Sequence, residues 1–248
     1  MSQAPMRIAA GFTQAQYFQT LRDIGQPDPT FYATAFDDFM SYVATPYTIT
    51  ATGNGAVARA AGKGGLVTFT TNSSTPATTD IVSLQESVAP FALTLGQKFA
   101  FSTSFTGADL TNPALVLGCI QTTTTPFTIT DGIWFSKASG SLALVLNSAI
   151  SSVVTSVTTS FTFVNGAQCN LGFYLNPKGE IEAYANNSVG GQVIDQDRVA
   201  LGPVGRLIPA SLTTANLNPT LAVQSGTATS KVVTFDWFLA AMERQVLV

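Results

Sequence analysis

The stretch Lys231-Val-Val-Thr-Phe-Asp-Trp-Phe-Leu-Ala-Ala-Met-Glu-Arg244 decides the fold class. Side chains of a strand alternate between the two faces of its sheet, so this segment presents two rows. One row is apolar and comprises Val233, Phe235, Trp237 and Leu239. The other comprises Val232, Thr234, Asp236 and Phe238. We therefore predict a central strand of a β-sandwich, with the first row buried against a second sheet and the other face partly covered by a loop, a terminus or a neighbouring subunit.

The composition limits the classes of partner. A chain of 248 residues can form one large β domain, because sandwiches and barrels commonly reach this size. Charged residues make up 10% of the chain, against about 25% in an ordinary soluble protein. A surface so poor in charge favours packing against copies of the chain or a larger assembly. The net charge of −3 and the scattered basic residues argue against nucleic-acid binding.

We expect no targeting segment in this chain. The first residues, 1–11, lack a long apolar run after a basic start, so we expect no signal peptide. No segment approaches the ~20 apolar residues that cross a bilayer, and we expect synthesis in the cytosol. Cys119 and Cys169 both lie in apolar, strand-like segments. Buried free thiols are expected because reducing compartments keep thiols unpaired, although a disulfide remains open if the two strands are neighbours.

Residues 1–30 are predicted to form an N-terminal arm, and residues 31–248 a β-sandwich domain. Within the arm, residues 12–25 fit a short helix, since Thr13 and Gln16 form a capping-box pattern and Gly25 can end it. An arm with an aromatic face suits a partner surface, although the helix could equally pack on its own sandwich. The candidate partner-interface residues are Phe12, Tyr17, Phe18, Leu21 and Ile24.

The rest of the chain reads as short strands. Residues 31–47 fit either a helix or a first strand, but from Tyr47 onward strands and turns alternate every 8–15 residues or so, which is typical of an all-β sandwich. The Asn176-Pro-Lys-Gly179 segment fits a type I turn of a hairpin. Residues 186–220 are rich in glycine, proline and asparagine and are predicted to be mainly loop. A strictly alternating strand should point Phe99, Phe101 and Phe105 inward.

The sequence offers little for catalysis. Histidine is absent, which removes Ser-His-Asp and Cys-His nucleophilic sites and most transition-metal sites. A carboxylate pair that cleaves glycosides is the remaining enzymatic option. Glu180 and Glu182 have suitable spacing but directly follow a turn, so we interpret them as a solvated outer face. We predict no catalytic residue and no enzymatic activity.

The residues that could form metal, cofactor or sugar sites make no recognisable motif. Calcium needs several oxygen ligands that converge from loops, and no loop motif joins the candidates Asp37, Asp38, Asp131, Asp195 and Asp197. The glycine-rich 62–65 segment leads into another strand, so it is a turn and not a phosphate-binding loop. We predict no metal and no cofactor. Aromatic residues could form the floor of a sugar site, although tryptophan in a strand is more often core; these are Trp134, Trp237 and Tyr184.

Four short motifs, in order along residues 31–244, carry a family resemblance. They are Phe36-Asp-Asp-Phe39, Phe127-x-x-x-Asp131-Gly-Ile-Trp-Phe-Ser-Lys137, Cys169-Asn-Leu-Gly-Phe-Tyr-Leu-Asn-Pro-Lys-Gly179 and Val233-Thr-Phe-Asp-Trp-Phe-Leu-Ala-Ala-Met-Glu-Arg244. Together they resemble the concanavalin A-like (jelly-roll) sandwich proteins of tailed-bacteriophage heads. In that family an aspartate-glycine turn opens a strand, a Gly-Phe-Tyr strand precedes a glycine turn, and an Asp-aromatic strand closes the sheet. The resemblance also favours a strand at residues 35–42.

The resemblance implies a capsid decoration (cement) protein. Such a protein lies on the outer surface of the virion, is made in the cytoplasm of the bacterial host, binds the major capsid protein and its own copies, and catalyses no reaction. The resemblance favours a trimer over a dimer. The alternative is a glycan-binding module or tail-associated adhesin on the same sandwich, with loop aromatics that stack on sugar. We expect neither nucleic acid nor membrane as a partner.

Overall fold

The computed structural model describes residues 32–60, 65–189, 192–193 and 203–244. These residues form an all-β, antiparallel sandwich of two sheets. Among them there is no helix of the length and apolarity that crossing a membrane requires. The predicted arm, with its helix at 12–25 and the candidate interface residues Phe12, Tyr17, Phe18, Leu21 and Ile24, lies outside the described residues.

Short strands joined by turns follow one another along the described chain, as the spacing of the turn signals predicts. In chain order they are β1 (Tyr32–Asp37), β2 (Tyr47–Ala51), β3 (Ala56–Ala60), β4 (Leu66–Thr70), β5 (Ile81–Glu86), β6 (Phe91–Ala92), β7 (Phe99–Thr106), β8 (Ala114–Gln121), β9 (Gly132–Lys137), β10 (Ala143–Ile150), β11 (Val153–Thr162), β12 (Gln168–Leu175), β13 (Ile181–Val189), β14 (Gln192–Val193), β15 (Gly205–Leu207), β16 (Asn216–Gln224) and β17 (Val232–Glu243).

The last strand, β17, is central, as its apolar sequence predicts. The first sheet, called sheet A, has the order β14-β13-β12-β7-β17-β4-β3, with β15 beside β13 and β1 beside β17. Because β17 is long, β4 pairs with its first part and β1 with its second part along the same edge. The second sheet, sheet B, has the order β11-β10-β9-β8-β16-β5-β2, with β6 beside β16.

Apolar side chains from the inner faces of both sheets form one core. Phe99, Phe101 and Phe105 of β7 point into it, which confirms the predicted alternation. Phe173 links the sheets, because its ring lies 5.6 Å from that of Phe101 in the same sheet and 5.8 Å from that of Phe135 in the opposite sheet. Aromatic pairs at such distances add to the stabilisation that comes from buried area.

A β-bulge corrects the predicted face pattern of β17. Phe235 lies opposite Phe105, but Trp237 lies opposite Ser104, so Asp236 is an extra residue in the ladder. Because one extra residue exchanges the faces of all that follow, Phe238 points into the main core. Trp237 and Leu239 were predicted to share the row of Val233 and Phe235. Instead they lie on the outer face of sheet A.

The predicted strand at residues 35–42 is wrong in its second half. The strand is Tyr32–Asp37, and the chain then turns. Asp37 Oδ1 accepts a hydrogen bond from Phe39 N (2.6 Å), and Phe39 has a positive φ of 54° with its side chain fully buried. Burial of the Phe39 ring offsets the cost of this conformation. The segment also packs tightly on Gly65, where a Cβ would lie 2.2 Å from Asp38 O.

Other local predictions had mixed outcomes. The hairpin is confirmed, since β12 and β13 flank a turn closed by Gly179 N donating to Asn176 O (2.9 Å). Cys119 and Cys169 are confirmed as buried thiols that form no disulfide, in sheet B and sheet A respectively. The loop predicted at 186–220 is wrong at both ends, because β13 continues to Val189 and β16 begins at Asn216.

Candidate functional site

A candidate ligand-binding feature is a groove on the outer face of sheet B. It has a volume of about 520 Å³ and lies across β8, β9 and β10, with one residue of β11 at its side. Alternation along β9 explains the floor: Ile133 and Phe135 point into the core, so Trp134 and Ser136 point outward. The side chains that form the groove and bear on its chemistry are Val116, Phe127, Trp134, Ser136, Asn147 and Val154.

A glycine on the neighbouring strand makes room for Trp134 in the floor of the groove. Gly118 of β8 lies directly opposite Trp134, and a Cβ at Gly118 would lie 2.5 Å from the Trp134 Cα. The two strands therefore approach more closely than any side chain at position 118 would permit. Trp134 is 6% exposed, because Phe127 and Ile129 from the β8–β9 loop pack on the same outer-face cluster. The prediction that Trp134 is a buried strand tryptophan is confirmed, although it lies outside the inter-sheet core.

Hydrogen bonds hold the loop over the groove. Thr130 Oγ1 donates to Gln121 Oε1 (2.7 Å), and Thr128 N donates to Thr125 O (2.8 Å). At the loop's end, Asp131 Oδ1 accepts from Thr213 Oγ1 (2.7 Å) and Ser151 N (3.1 Å). Burial opposes ionisation of Asp131, but these donors outweigh it and lower the pKa of its carboxyl. The loop therefore has a fixed, charged anchor.

The polar wall of the groove centres on Asn147. Its Nδ2 donates to Ser136 Oγ (2.9 Å) and its Oδ1 accepts from Ser156 Oγ (2.8 Å). The amide thus joins three strands of sheet B. Among the described residues that line the groove there is no aspartate or glutamate. The lining therefore offers apolar surface, hydroxyls and an amide, which suit binding more than acid–base chemistry.

Lys137, at one end of the groove, is almost completely buried. Its Nζ donates to three main-chain carbonyls, those of Thr111 (2.9 Å), Pro113 and Ala138 (3.0 Å). Burial lowers the pKa of Lys137 to about 8, and the nearby Asp109 partly opposes that shift. Since its three protons are directed at carbonyls, this ammonium closes the 107–113 loop onto β9 and is not presented to a ligand.

A second cluster lies where the ends of β1, β2 and β5 meet. Tyr47 donates a very short hydrogen bond from its hydroxyl to Asp37 Oδ2. Tyr47 pairs with Glu86 across β2 and β5, so both side chains lie on the same face. Burial, and then the charge of Asp37, raise the pKa of Glu86 to about 7. The same two causes raise the pKa of Tyr42, whose ring stacks on Tyr47 with centroids 6.1 Å apart.

The predicted carboxylate candidates do not converge. Glu182 accepts from Tyr184 (2.7 Å) and from Arg206 (2.7 Å), while Glu180 accepts from Asn176 (2.9 Å) at the turn. These contacts agree with the interpretation of an outer face. Asp37 and Asp131 form hydrogen bonds in two separate clusters. Asp38 Oδ1 accepts a hydrogen bond from Met40 N (3.1 Å). In the described part of the chain no group of three potential ligands could hold a metal; Asp195 and Asp197 lie outside that part.

Trp237 and Tyr184 were the other predicted aromatics. Both belong to a buried cluster on the outer face of sheet A, at 6% and 4% exposure. They are thus on the opposite side of the sandwich from Trp134. Glu86 and Asn147 do not stand out in the sequence, because neither belongs to a motif. The pairing of Tyr47 with Glu86, and of Asn147 with Ser156, appears only when the strand order is known.

Comparisons with known proteins identify the fold. No protein-family model and no curated protein matches the sequence. Among solved structures, a protein of unknown function from Shewanella oneidensis is 13% identical with a TM-score of 0.58, and the match covers 88% of this chain and 90% of that one. Arcelin-5, a lectin-like defence protein from Phaseolus vulgaris, is 7% identical with a TM-score of 0.58 over 86% and 100%.

An endo-1,3-beta-glucanase from Streptomyces sioyaensis is similar at a TM-score of 0.51, with 10% identity over 87% of this chain and 98% of the enzyme. At such identities the likeness concerns the backbone fold and not the chemistry. Lectin-like proteins and glucanases share the same two-sheet arrangement. The chain therefore has the concanavalin A-like (jelly-roll) sandwich fold that the sequence motifs led us to expect.

Proposed function

We propose that this chain is a non-enzymatic structural protein of a bacteriophage virion. It decorates the outer surface of the capsid by binding the major capsid protein and its own copies, after synthesis in the cytoplasm of the bacterial host. The first motif, Phe36-Asp-Asp-Phe39, runs past the end of β1 and does not form the strand that the family pattern favours. The other three motifs support the proposal, because each occupies the element that the pattern requires. Gly132 opens β9, the Gly-Phe-Tyr run lies in β12 before the Gly179 turn, and the Asp-aromatic segment is β17.

The observation that carries the proposal is a surface with large apolar side chains and few charges. Charged residues are 10% of the chain. At the β1 end of the sandwich, Phe36, Met40 and Val43 are 39%, 49% and 60% exposed within eight residues of one another. Repeated on many copies, modest apolar contacts of this kind add up to firm attachment. The groove lining, which lacks carboxylates, gives no support to a hydrolase.

The test is made on particles of the phage that encodes the chain. Mass spectrometry of purified capsids should find the chain at a copy number that icosahedral symmetry permits. Capsids that lack it should bind the purified protein to saturation. The double variant Met40→Ser with Val43→Ser should bind more weakly. Ile208→Ser, at a site that is 65% exposed but on another part of the sandwich, should bind normally. Absence from virions, or presence at the tail tip alone, would overturn the proposal.

A second candidate is glycan binding, and the aromatic lining of the groove favours it. Phe127 is half-buried at the groove's rim above Trp134, and Asn147 and Ser136 supply polar groups beside it. Sugar rings bind to aromatic faces next to hydrogen-bonding groups. A glycan array separates the candidates: saturable binding that Phe127→Ala abolishes, and that Phe36→Ala outside the groove leaves unchanged, would support this function instead.

A further inference from the structure

Strand β11 forms an exposed edge of sheet B. It pairs with β10 on one side. On its other side, within the described part of the chain, the first main-chain hydrogen bond is at Ser160, whose N donates to Val204 O (2.9 Å). Residues 153–158 before that point are exposed apart from Val157, with Val153 and Val154 at 73% and 48%. Toward the described part of the chain, this half of β11 therefore presents an open row of main-chain donors and acceptors.

The edge lacks the features that normally prevent pairing. Natural edge strands are short, or carry lysine, proline or inward-pointing charges. β11 has ten residues, Val-Val-Thr-Ser-Val-Thr-Thr-Ser-Phe-Thr, without charge, proline or glycine. The opposite edge of sheet B, β2, has five residues, and the edge strand β3 of sheet A carries Arg59. Valine and threonine are strong strand formers, so β11 is built to accept another strand.

We infer that residues 153–157 of β11 pair antiparallel with the same residues of a second copy, which makes a two-fold dimer with sheet B continuous across it. The inference rests on the proposed function, of which binding to its own copies is one part. A two-fold axis normal to the sheet pairs residues on the same face. With the axis at Thr155, Val153 lies opposite Val157 of the second copy, and Thr155 lies opposite its own equivalent.

The chemistry of the strand argues for a copy of the chain as the occupant. Residues on or near a two-fold axis face themselves, so a charge there would meet an identical charge. None occurs in β11. Thr155 opposite Thr155 and Val153 opposite Val157 are favourable cross-strand pairs, and they would cover Val153, the most exposed large apolar side chain in the described chain.

The pairing also determines how the grooves are presented. Even-numbered residues of this part of β11 face the groove, since Val154 lines it and Ser156 bonds to Asn147. The two-fold axis keeps both outer faces on the same side. The dimer therefore presents two grooves toward one surface, which makes its binding to a repetitive surface bivalent.

The mass of the full chain in solution tests the pairing. The wild type should have twice the monomer mass of 25.9 kDa by light scattering, and Thr155→Lys should be monomeric. Thr48→Lys, an equal change on the exposed β2 edge, should remain dimeric. Equal amounts of Thr155→Lys and Thr155→Asp should restore a dimer. A monomeric wild type at all concentrations, a trimer, or a dimer that Thr155→Lys leaves intact would each overturn the inference.

Cross-linking tests the register. Directly opposite residues of antiparallel strands have Cα atoms about 4.5–5.5 Å apart, which a disulfide can span. Thr155→Cys should therefore form a covalent dimer on oxidation, whereas Val153→Cys should not, because its equivalent lies about 13 Å along the strands. The native cysteines are buried and leave the background low. Equal cross-linking of both variants would overturn the register. Detection of the chain in virions is independent of both results, so failure of the dimer and failure of the proposed function are distinguishable.

Discussion

The hydroxyl of Tyr47 donates its hydrogen bond to Asp37 Oδ2 and so joins the two sheets at one end of the sandwich. Tyr47 begins β2 of sheet B, and Asp37 ends β1 of sheet A. The same Asp37 accepts from Phe39 N (2.6 Å) through its other oxygen. One carboxylate therefore fixes the turn after β1 and ties that turn to the opposite sheet.

The two stacked tyrosines at this end should respond differently to the same substitution. Tyr47→Phe removes a hydrogen bond to a carboxylate, so the free energy of unfolding should fall by about 1–3 kcal/mol. Tyr42→Phe removes a hydroxyl that is buried without a hydrogen-bond partner among the described residues, so stability should stay the same or rise. Urea unfolding of both variants measures the difference. Equal losses would show that the Tyr47–Asp37 bond contributes nothing specific.

Glu86 should make stability depend on pH near neutrality. Its pKa is about 7 in the folded chain, raised by burial and then by Asp37, against an ordinary value near 4.5. Between these values the folded chain binds more protons than the unfolded chain, so stability falls as the pH rises from about 4.5 to about 7. Glu86→Gln should remove this loss and gain about 1–2 kcal/mol at pH 8, after allowance for solvent screening of a partly exposed group.

The control for Glu86→Gln is Glu180→Gln. Glu180 lies at the turn before β13, outside the cluster, and its side chain accepts a hydrogen bond from Asn176, which glutamine can also do. Urea midpoints between pH 4.5 and 8.5 should give a flatter profile for Glu86→Gln and a profile parallel to the wild type for Glu180→Gln. Two parallel profiles would mean that Glu86 titrates as it does in the unfolded chain.

Alternation and turn chemistry predict much of this fold, because both are local. The type I turn at Asn176–Gly179 and the inward row of β7 follow from the sequence alone. The bulge at Asp236 does not, since it arises from how β17 pairs with β7. In an apolar strand that is covered on both faces, the sequence gives no sign of where the faces exchange. The predicted faces of Phe238 and Trp237 are therefore wrong.

The candidate site was less predictable than the fold. Trp134 and Phe127 stand out in the sequence as aromatics, but their meeting on the outer face requires Gly118 opposite Trp134 and a loop that folds back. Lys137 resembles an ordinary surface lysine at the end of a strand. Its burial follows from the 107–113 loop, whose carbonyls accept hydrogen bonds from its Nζ. Contacts between segments distant in sequence define these sites, and no local pattern encodes them.

Gly118→Ala should destabilise the chain through backbone contact. The new Cβ would lie 2.5 Å from Ile133 O and from Trp134 Cα, so β8 and β9 must move apart. We expect a loss of about 1–3 kcal/mol, as for other overpacked positions. Gly172→Ala, in the middle of β12, is the matched control, because its nearest neighbour would lie at 3.2 Å and the loss should be smaller. Thermal unfolding of the pair gives the comparison, and equal losses would contradict the close approach at Gly118.

Removal of the Phe127 ring should uncover Trp134 without unfolding the sandwich. Phe127 packs on the outer-face cluster from the loop and is half-buried, so Phe127→Ala should cost about 1–2 kcal/mol, less than a fully buried phenylalanine. Trp134 is 6% exposed in the intact protein. Its emission should therefore shift to longer wavelength and be quenched more strongly by acrylamide in the variant.

Two control variants accompany this measurement. Phe127→Leu should keep most of the cover over Trp134, and Val88→Ala, at a site 72% exposed in the wild type, should leave quenching unchanged. Because Trp237 is buried on the opposite sheet, about half of the total emission should stay protected from acrylamide. If quenching does not change in Phe127→Ala, then residues other than Phe127 shield the indole of Trp134.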